Sequence, residues 1–177
     1  MDSPTFRMDG LVLRPIGEAD QEHVFRGLSH PAVILHYGVS YASYEATAQQ
    51  MEWYAELERT GTGIWWAIVH AQEGRFLGAI GINSLQRQHR KAEIGFWLLP
   101  DNWGQGIIGK VLPAVLEHGF RTLGLHRMEA MVETGNVASG RVLRKAGFML
   151  EGTLRECEVK HGCYISLELW ALLDPAR

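Results

Sequence analysis

Three strand-like runs, Ile64 to Val69, Phe76 to Asn83 and Ala92 to Leu99, follow one another with only short turns between them, and glycines and an amphipathic helix come next. Short turns join antiparallel neighbours, whereas a parallel neighbour needs a crossover of roughly a dozen residues or more. The three runs therefore dictate an antiparallel meander. The helix that follows them supplies the crossover for a parallel partner. Gln72-Glu73-Gly74 turns the first pair, and Pro100-Asp101-Asn102 ends the third run. That third run alternates, with Ala92, Ile94, Phe96 and Leu98 on one face and Glu93, Gly95, Trp97 and Leu99 on the other.

The remaining elements fit around this meander. Leu11 to Arg14 reads as a short strand stopped by Pro15, and Asp20 to Leu28 as a helix broken by Ser29-His30-Pro31. Ser43 is placed to cap a second helix through Arg59, with Gly61 just past its end. The helix after the glycines carries Ile108, Leu112, Val115, Leu116 and Phe120 as its stripe, with a kink expected at Pro113. Arg127 to Glu133 alternates as a strand, Val137 to Ala146 is a helix closed by Gly147, and Phe148 to Val159 with Cys163 to Leu172 makes a terminal hairpin. The order β-α-α-β-β-β-α-β-α-β-β is that of an α+β fold with a mixed sheet.

Composition narrows the class. A chain of 177 residues with 46% hydrophobic and 21% charged content reads as a single globular domain, 1–177. A net charge of -3 lacks the basic footprint of a nucleic-acid binder. The opening MDSPTFRMDG has no apolar signal core, and no run approaches the ~18 residues of a membrane span, so a cytoplasmic protein without membrane partners is expected. Cys157 and Cys163 are positioned to face each other across a hairpin turn holding Lys160, His161 and Gly162. A reducing compartment favours two free thiols instead. His30, His36, His89 and His126 lack metal-ligand spacing, so no metal is expected.

Gly104, Gly106 and Gly109 open a helix, and such a turn is a phosphate site: amides point at the ligand, the helix dipole favours negative charge, and no side chain blocks approach. The spacing formally matches the dinucleotide fingerprint, with Glu129 some distance on. Context excludes that reading. Pro100 to Trp103 separate strand from glycine, a meander precedes it, and too little chain follows Gly109 for a doubly wound sheet. Lys110 is followed by Val111, not Ser or Thr, so a triphosphate loop is excluded as well.

Taken in order, Ala92-Glu93-Ile94-Gly95-Phe96-Trp97, Trp103-Gly104-Gln105-Gly106, Gly124-Leu125-His126-Arg127, Asn136-Val137-Ala138-Ser139 through Leu143, Ala146-Gly147-Phe148 and Glu151-Gly152-Thr153-Leu154-Arg155 resemble the GNAT superfamily of N-acyltransferases, in its RimJ/RimL-like branch. Leu13-Arg14-Pro15 and Leu169 to Leu173 also fit, so the resemblance covers nearly the whole chain. It implies a mixed, mostly antiparallel central sheet of about seven strands flanked by about four helices. It implies acetyl-CoA as donor, with the coenzyme A pyrophosphate on Trp103, Gly104, Gln105, Gly106, Ile107, Ile108 and Gly109. Ile108 stands where the family carries Gly or Ala. The main chain of Phe96, Trp97, Leu98 and Leu99 is expected to bulge and pair with the pantetheine arm. Asn136 resembles a cofactor-contacting Asn and is equally a helix cap.

The implied chemistry is attack of an amine on a thioester in a ternary complex, which needs a base for the amine and a donor for the departing thiolate. The family's usual Tyr acid is replaced by Leu143, and the branch places Ser139 near the sulfur, so Ser139 is the expected donor; a helix cap is its plain alternative. Glu93 is the expected base, a solvated strand-face charge being the alternative, with Glu151 and Glu156 as substitutes. His36 and Tyr37 lie in a segment flanking the acceptor cleft, and Trp53, Trp65 and Trp66 are further candidates to line it. The acceptor is a protein N-terminal amine, ribosomal in the named relatives of this branch, or a small amine. The resemblance leaves the oligomeric state open between a homodimer through the terminal strands and a monomer. A non-catalytic acyl-CoA-binding module would need the glycines and Asn136 but neither Ser139 nor Glu93.

Overall fold

The computed structural model describes residues 4–176. Its strands are β1 (Phe6–Met8), β2 (Leu11–Pro15), β3 (Ile64–His70), β4 (Phe76–Gln86), β5 (Lys91–Leu98), β6 (Arg127–Glu133), β7 (Met149–Lys160) and β8 (Cys163–Leu173). Its helices are α1 (Gln21–Leu28), α2 (Pro31–Ile34), α3 (Ala48–Thr60), α4 (Ile107–Glu117) and α5 (Val137–Lys145). The eight strands form one sheet in the order β1-β2-β3-β4-β5-β6-β8-β7. Every pairing is antiparallel except β5 with β6, the pair that α4 connects.

Alternation along the strands builds a core on each face. Trp66, Ile68, Ile80, Ile82 and Ile94 meet Val111, Leu112 and Val115 of α4 and Leu143 of α5. Trp65, Ala67, Ala79 and Trp97 turn the other way, onto Val24, Leu28, Met51, Tyr54 and Leu57 of α1 and α3. Each large side chain buried in this way contributes about 1.5–3 kcal/mol. Gly27 is required by this packing, because a Cβ there would lie 2.1 Å from the Trp97 ring.

The structure adds two elements to those read from sequence. Phe6–Met8 pairs with β2 as an outer strand. Pro31 ends no structure but starts α2, as a proline at the first helical position does, with His30 Nδ1 accepting from the Ala32 amide at 3.2 Å. Ser43 Oγ accepts from the Ala46 amide at 3.1 Å and thereby opens a 3-10 turn leading into α3, which ends at Gly61 with φ 66°. α4 runs through Pro113, and its departure from regular geometry is a π-turn over His118–Thr122.

The terminal hairpin is bent. Register shifts between Leu154 and Glu158, and Glu156 takes φ 50° while its amide donates to Ser166 Oγ at 2.9 Å. Cys163 stands opposite Lys160, whereas Cys157 lies by Ile165, so the cysteines are out of register with each other and both are free.

Candidate active site

The glycine turn is fastened from below. Asn102 is 2% exposed; its Nδ2 donates to the Leu77 carbonyl at 3.1 Å, and its Oδ1 accepts from Arg75 at 2.9 Å. Trp103 Nε1 donates to the Leu98 carbonyl at 2.9 Å, and Gln105 Nε2 to the Asp101 carbonyl at 2.9 Å. Gly104 and Gly106 have φ of 72° and 70°, a region that L side chains rarely enter. Gly106 then caps α4, whose first-turn amides have no intrahelical acceptor and whose first turn carries no acidic residue. Ile107 and Ile108 are buried in the core, which explains how Ile108 is tolerated: its side chain anchors the helix start away from the loop's mouth. A Cβ at Gly104, Gly106 or Gly109 would meet open space. The turn is thus bounded by backbone rather than by side chains.

Beside this turn, the sheet parts. β5 and β6 are joined by three rungs, Lys91–Arg127, Ala92–Met128 and Glu93–Glu129, and no rung follows. The register of β5 with β4 continues unbroken from Glu93 to Leu98, so the expected bulge at Phe96–Leu99 is absent from that pairing. The gap opens because β6 departs. The β5 edge from Ile94 to Leu98 is left facing it, available to an extended, amide-rich ligand arm. Trp97 and Leu99 are core residues whose side chains stay with α1 and α3, so any ligand role falls to their main chain.

On the α1–α3 face, Glu93 looks toward a cluster of phenols. Burial, then the Glu129 and Glu158 carboxylates, push the Glu93 carboxyl above its ordinary value. Tyr37 is pushed well up by burial and by the charges around it, Glu93 among them. Tyr41 donates to Gln50 Oε1 at 2.9 Å, and the Tyr54 hydroxyl is buried near Trp97 and Gln50. Trp65 lies across this wall. Its ring occupies the space of a Cβ at Gly81 (2.2 Å) and reaches Gly95 (3.0 Å), so two paired glycines make room for it. Trp53 leans on Trp65 and Tyr54 from the exposed side. Trp66 belongs to the opposite core and bonds the Pro4 carbonyl; it lines no acceptor cleft.

Across the gap, Asn136 caps α5, its Oδ1 accepting from the Ser139 amide at 3.2 Å. Ser139 is half-buried, and its hydroxyl has no hydrogen-bond partner among the described residues. Glu151 is removed from the list of bases, since Arg127 grips it at 2.8 and 2.5 Å and holds its carboxyl below the ordinary value. Glu156 sits exposed in the hairpin bulge. His36 packs by Gly135, with Nδ1 3.8 Å from Glu133 Oε1. Glu158, Lys160, Tyr41, Tyr54 and Asn102 were invisible to sequence reasoning. Their partners lie far off in sequence, as Lys160 at the hairpin end bonds the Leu35 carbonyl and Asn102 the Leu77 carbonyl.

Comparisons with known proteins give the family and the fold. A family model described as acetyltransferase (GNAT) domain matches residues 10–149. The chain is 34% identical over 173 residues to the uncharacterized N-acetyltransferase YoaA of Bacillus subtilis, covering 97% of this chain and 98% of that one. Its fold is that of RimL, a ribosomal L7/L12 alpha-N-protein acetyltransferase solved in complex with coenzyme A, with a TM-score of 0.87, 24% identity, and coverage of 98% of this chain and 100% of that one. It is also that of spermidine N-acetyltransferase from Vibrio cholerae, solved with coenzyme A and spermine, with a TM-score of 0.82, 21% identity, and coverage of 93% and 95%.

Proposed function

The chain belongs to the GNAT acetyltransferase family, and on that premise we propose that it moves an acetyl group from acetyl-CoA to a primary amine, on a protein N-terminus or a small molecule, by direct attack in a ternary complex. The observation that carries this reading is the juxtaposition of the backbone cradle at Gly104–Gly109 with the parting of β5 and β6. One feature suits a pyrophosphate and the other an extended amide chain. Residues 1–177 act as one such domain in this reading.

Trp103 to Gly109 and the β5 edge at Phe96 to Leu99 would hold coenzyme A, with Asn136 shaping the start of α5 beside them. Bound acetyl-CoA supplies the activated acyl group. Glu93 takes the proton of the incoming amine. Its raised affinity for protons, caused by burial and by Glu129 and Glu158, suits a base near neutral pH. Ser139, with a free hydroxyl at the first turn of α5, donates to the departing sulfur. Tyr37, Tyr41 and Trp65 wall the side from which the amine enters. Both the protein-acetylating and the polyamine-acetylating structures above share the fold, so the acceptor is to be found by assay.

The assay is thiol release from acetyl-CoA with N-terminal Ser, Ala and Met peptides, amino acids, polyamines and aminoglycosides, beside a melt with coenzyme A. Turnover with one class is the expected result. A melting point unmoved by coenzyme A would overturn the reading.

A further inference from the structure

At the bent tip of the β7–β8 hairpin, Lys160 Nζ donates to the Leu35 carbonyl at 2.6 Å and is ion-paired with Glu133. Both charged side chains are largely enclosed, at 16% and 14% exposed. The three groups come from parts of the chain far apart in sequence. Leu35 closes α2 and immediately precedes His36 and Tyr37. Glu133 ends β6 and leads through Gly135 to Asn136 and Ser139. Lys160 ends β7, just past the register shift between Leu154 and Glu158 where Glu156 takes a positive φ.

We infer that Lys160 is a positioning residue for the amine acceptor: it ties the 35–37 segment to the end of β6 and so fixes the wall carrying Tyr37 relative to Glu93. The inference rests on the acetyltransferase reading above. The amides of Leu35, Tyr37 and Tyr41 donate to the carbonyls of Pro31, Ile34 and Leu28, the Thr47 amide donates to the Ser43 carbonyl, and the Tyr41 hydroxyl donates to Gln50. All of these partners lie in the neighbouring helical turns, and the Lys160 bond is what joins the segment to the far hairpin. An enclosed cation bonded to both a carbonyl and a carboxylate is a strong fastening, and removing it leaves Glu133 enclosed without its partner. His36 is too far from Glu133, at 3.8 Å, to replace it with a hydrogen bond.

Lys160→Met, Lys160→Arg and Glu133→Gln test this. Amide hydrogen exchange over residues 35–43 is read with and without coenzyme A, together with thermal melts and steady-state kinetics for both substrates. Lys160→Met is expected to speed exchange in 35–43 and to raise KM for the amine about tenfold, the equivalent of one hydrogen bond to a charged group. kcat and KM for acetyl-CoA should stay within about twofold. Glu133→Gln should speed exchange in the same segment, and Lys160→Arg should restore most of the protection. Exchange unchanged in 35–43, or equal rises in both KM values, would overturn the inference. Loss of turnover with every amine in the parent would instead sink the acetyltransferase reading, and the exchange data would still judge the latch.

Discussion

Glu93 and Glu129 face each other across the last rung of the parallel β5–β6 ladder. Glu129 is held by Arg127 at 2.7 Å and by Lys91 at 3.4 Å, while Glu93 has no cation of its own among the described residues. Burial, then the neighbouring Glu129 and Glu158 carboxylates, raise the proton affinity of Glu93.

This pair makes a pH prediction. Glu93→Gln should lower kcat by about 100-fold or more and remove the acidic limb of the pH–rate profile. Glu129→Gln should keep activity but move that limb to lower pH, because a like charge is lost and Arg127 and Lys91 are freed to act on Glu93. An unmoved limb in both variants would exclude Glu93 as base.

The same shift predicts stability. A carboxyl whose folded value lies above its unfolded one favours folding while protonated, and that contribution is lost as pH rises through the raised folded value. Glu93→Gln should therefore melt higher than the parent at pH 8, with the difference closing below about pH 4. Melts across that range read it directly.

Gly109 separates fold from ligand. It lies in the first turn of α4, and a Cβ there meets nothing. Gly109→Ala should leave the free protein as stable or raise it by about 0.5–1 kcal/mol, while weakening coenzyme A by tenfold or more through the methyl in the cradle. Denaturant melts and calorimetric titration decide it; affinity unchanged would move the phosphate elsewhere.

Asn136 and Ser139 divide their roles similarly. Asn136→Ala loses a helix cap and should cost about 1 kcal/mol. Ser139→Ala loses a hydroxyl without a partner, so stability should hold while kcat falls by about 100-fold. Turnover unchanged in Ser139→Ala would leave it without a part in the chemistry.

Asn102 fastens the cradle. Asn102→Ala should cost about 1–3 kcal/mol, because the Leu77 carbonyl loses a buried donor, and should raise KM for acetyl-CoA more than KM for the amine. An equal effect on both would show that the loop keeps its shape without it.

The meander, the crossover helix, the positive φ of the glycines and the cap at Asn136 were legible because each rests on local rules: alternation in β5, glycine's freedom, and an Asn three residues before an amide it can cap. What stayed hidden is set by distant partners. Nothing around Pro31 distinguishes a stop from a start until His30 is seen capping the next turn. Glu151 and Glu93 read alike in sequence, and only the approach of Arg127 from β6 disqualifies one of them. Lys160 looked like a turn residue because its partners, the Leu35 carbonyl and Glu133, lie far from it in sequence.

Three rungs are all that stitch β1–β5 to β6–β8 along the β5–β6 seam. A molecule lying in the opening beyond Glu93 would act as mortar as well as substrate, bonding one half of the sheet to the other. A donor bound there would stiffen the floor on which an amine lands, and an unfinished seam would then favour the donor arriving first.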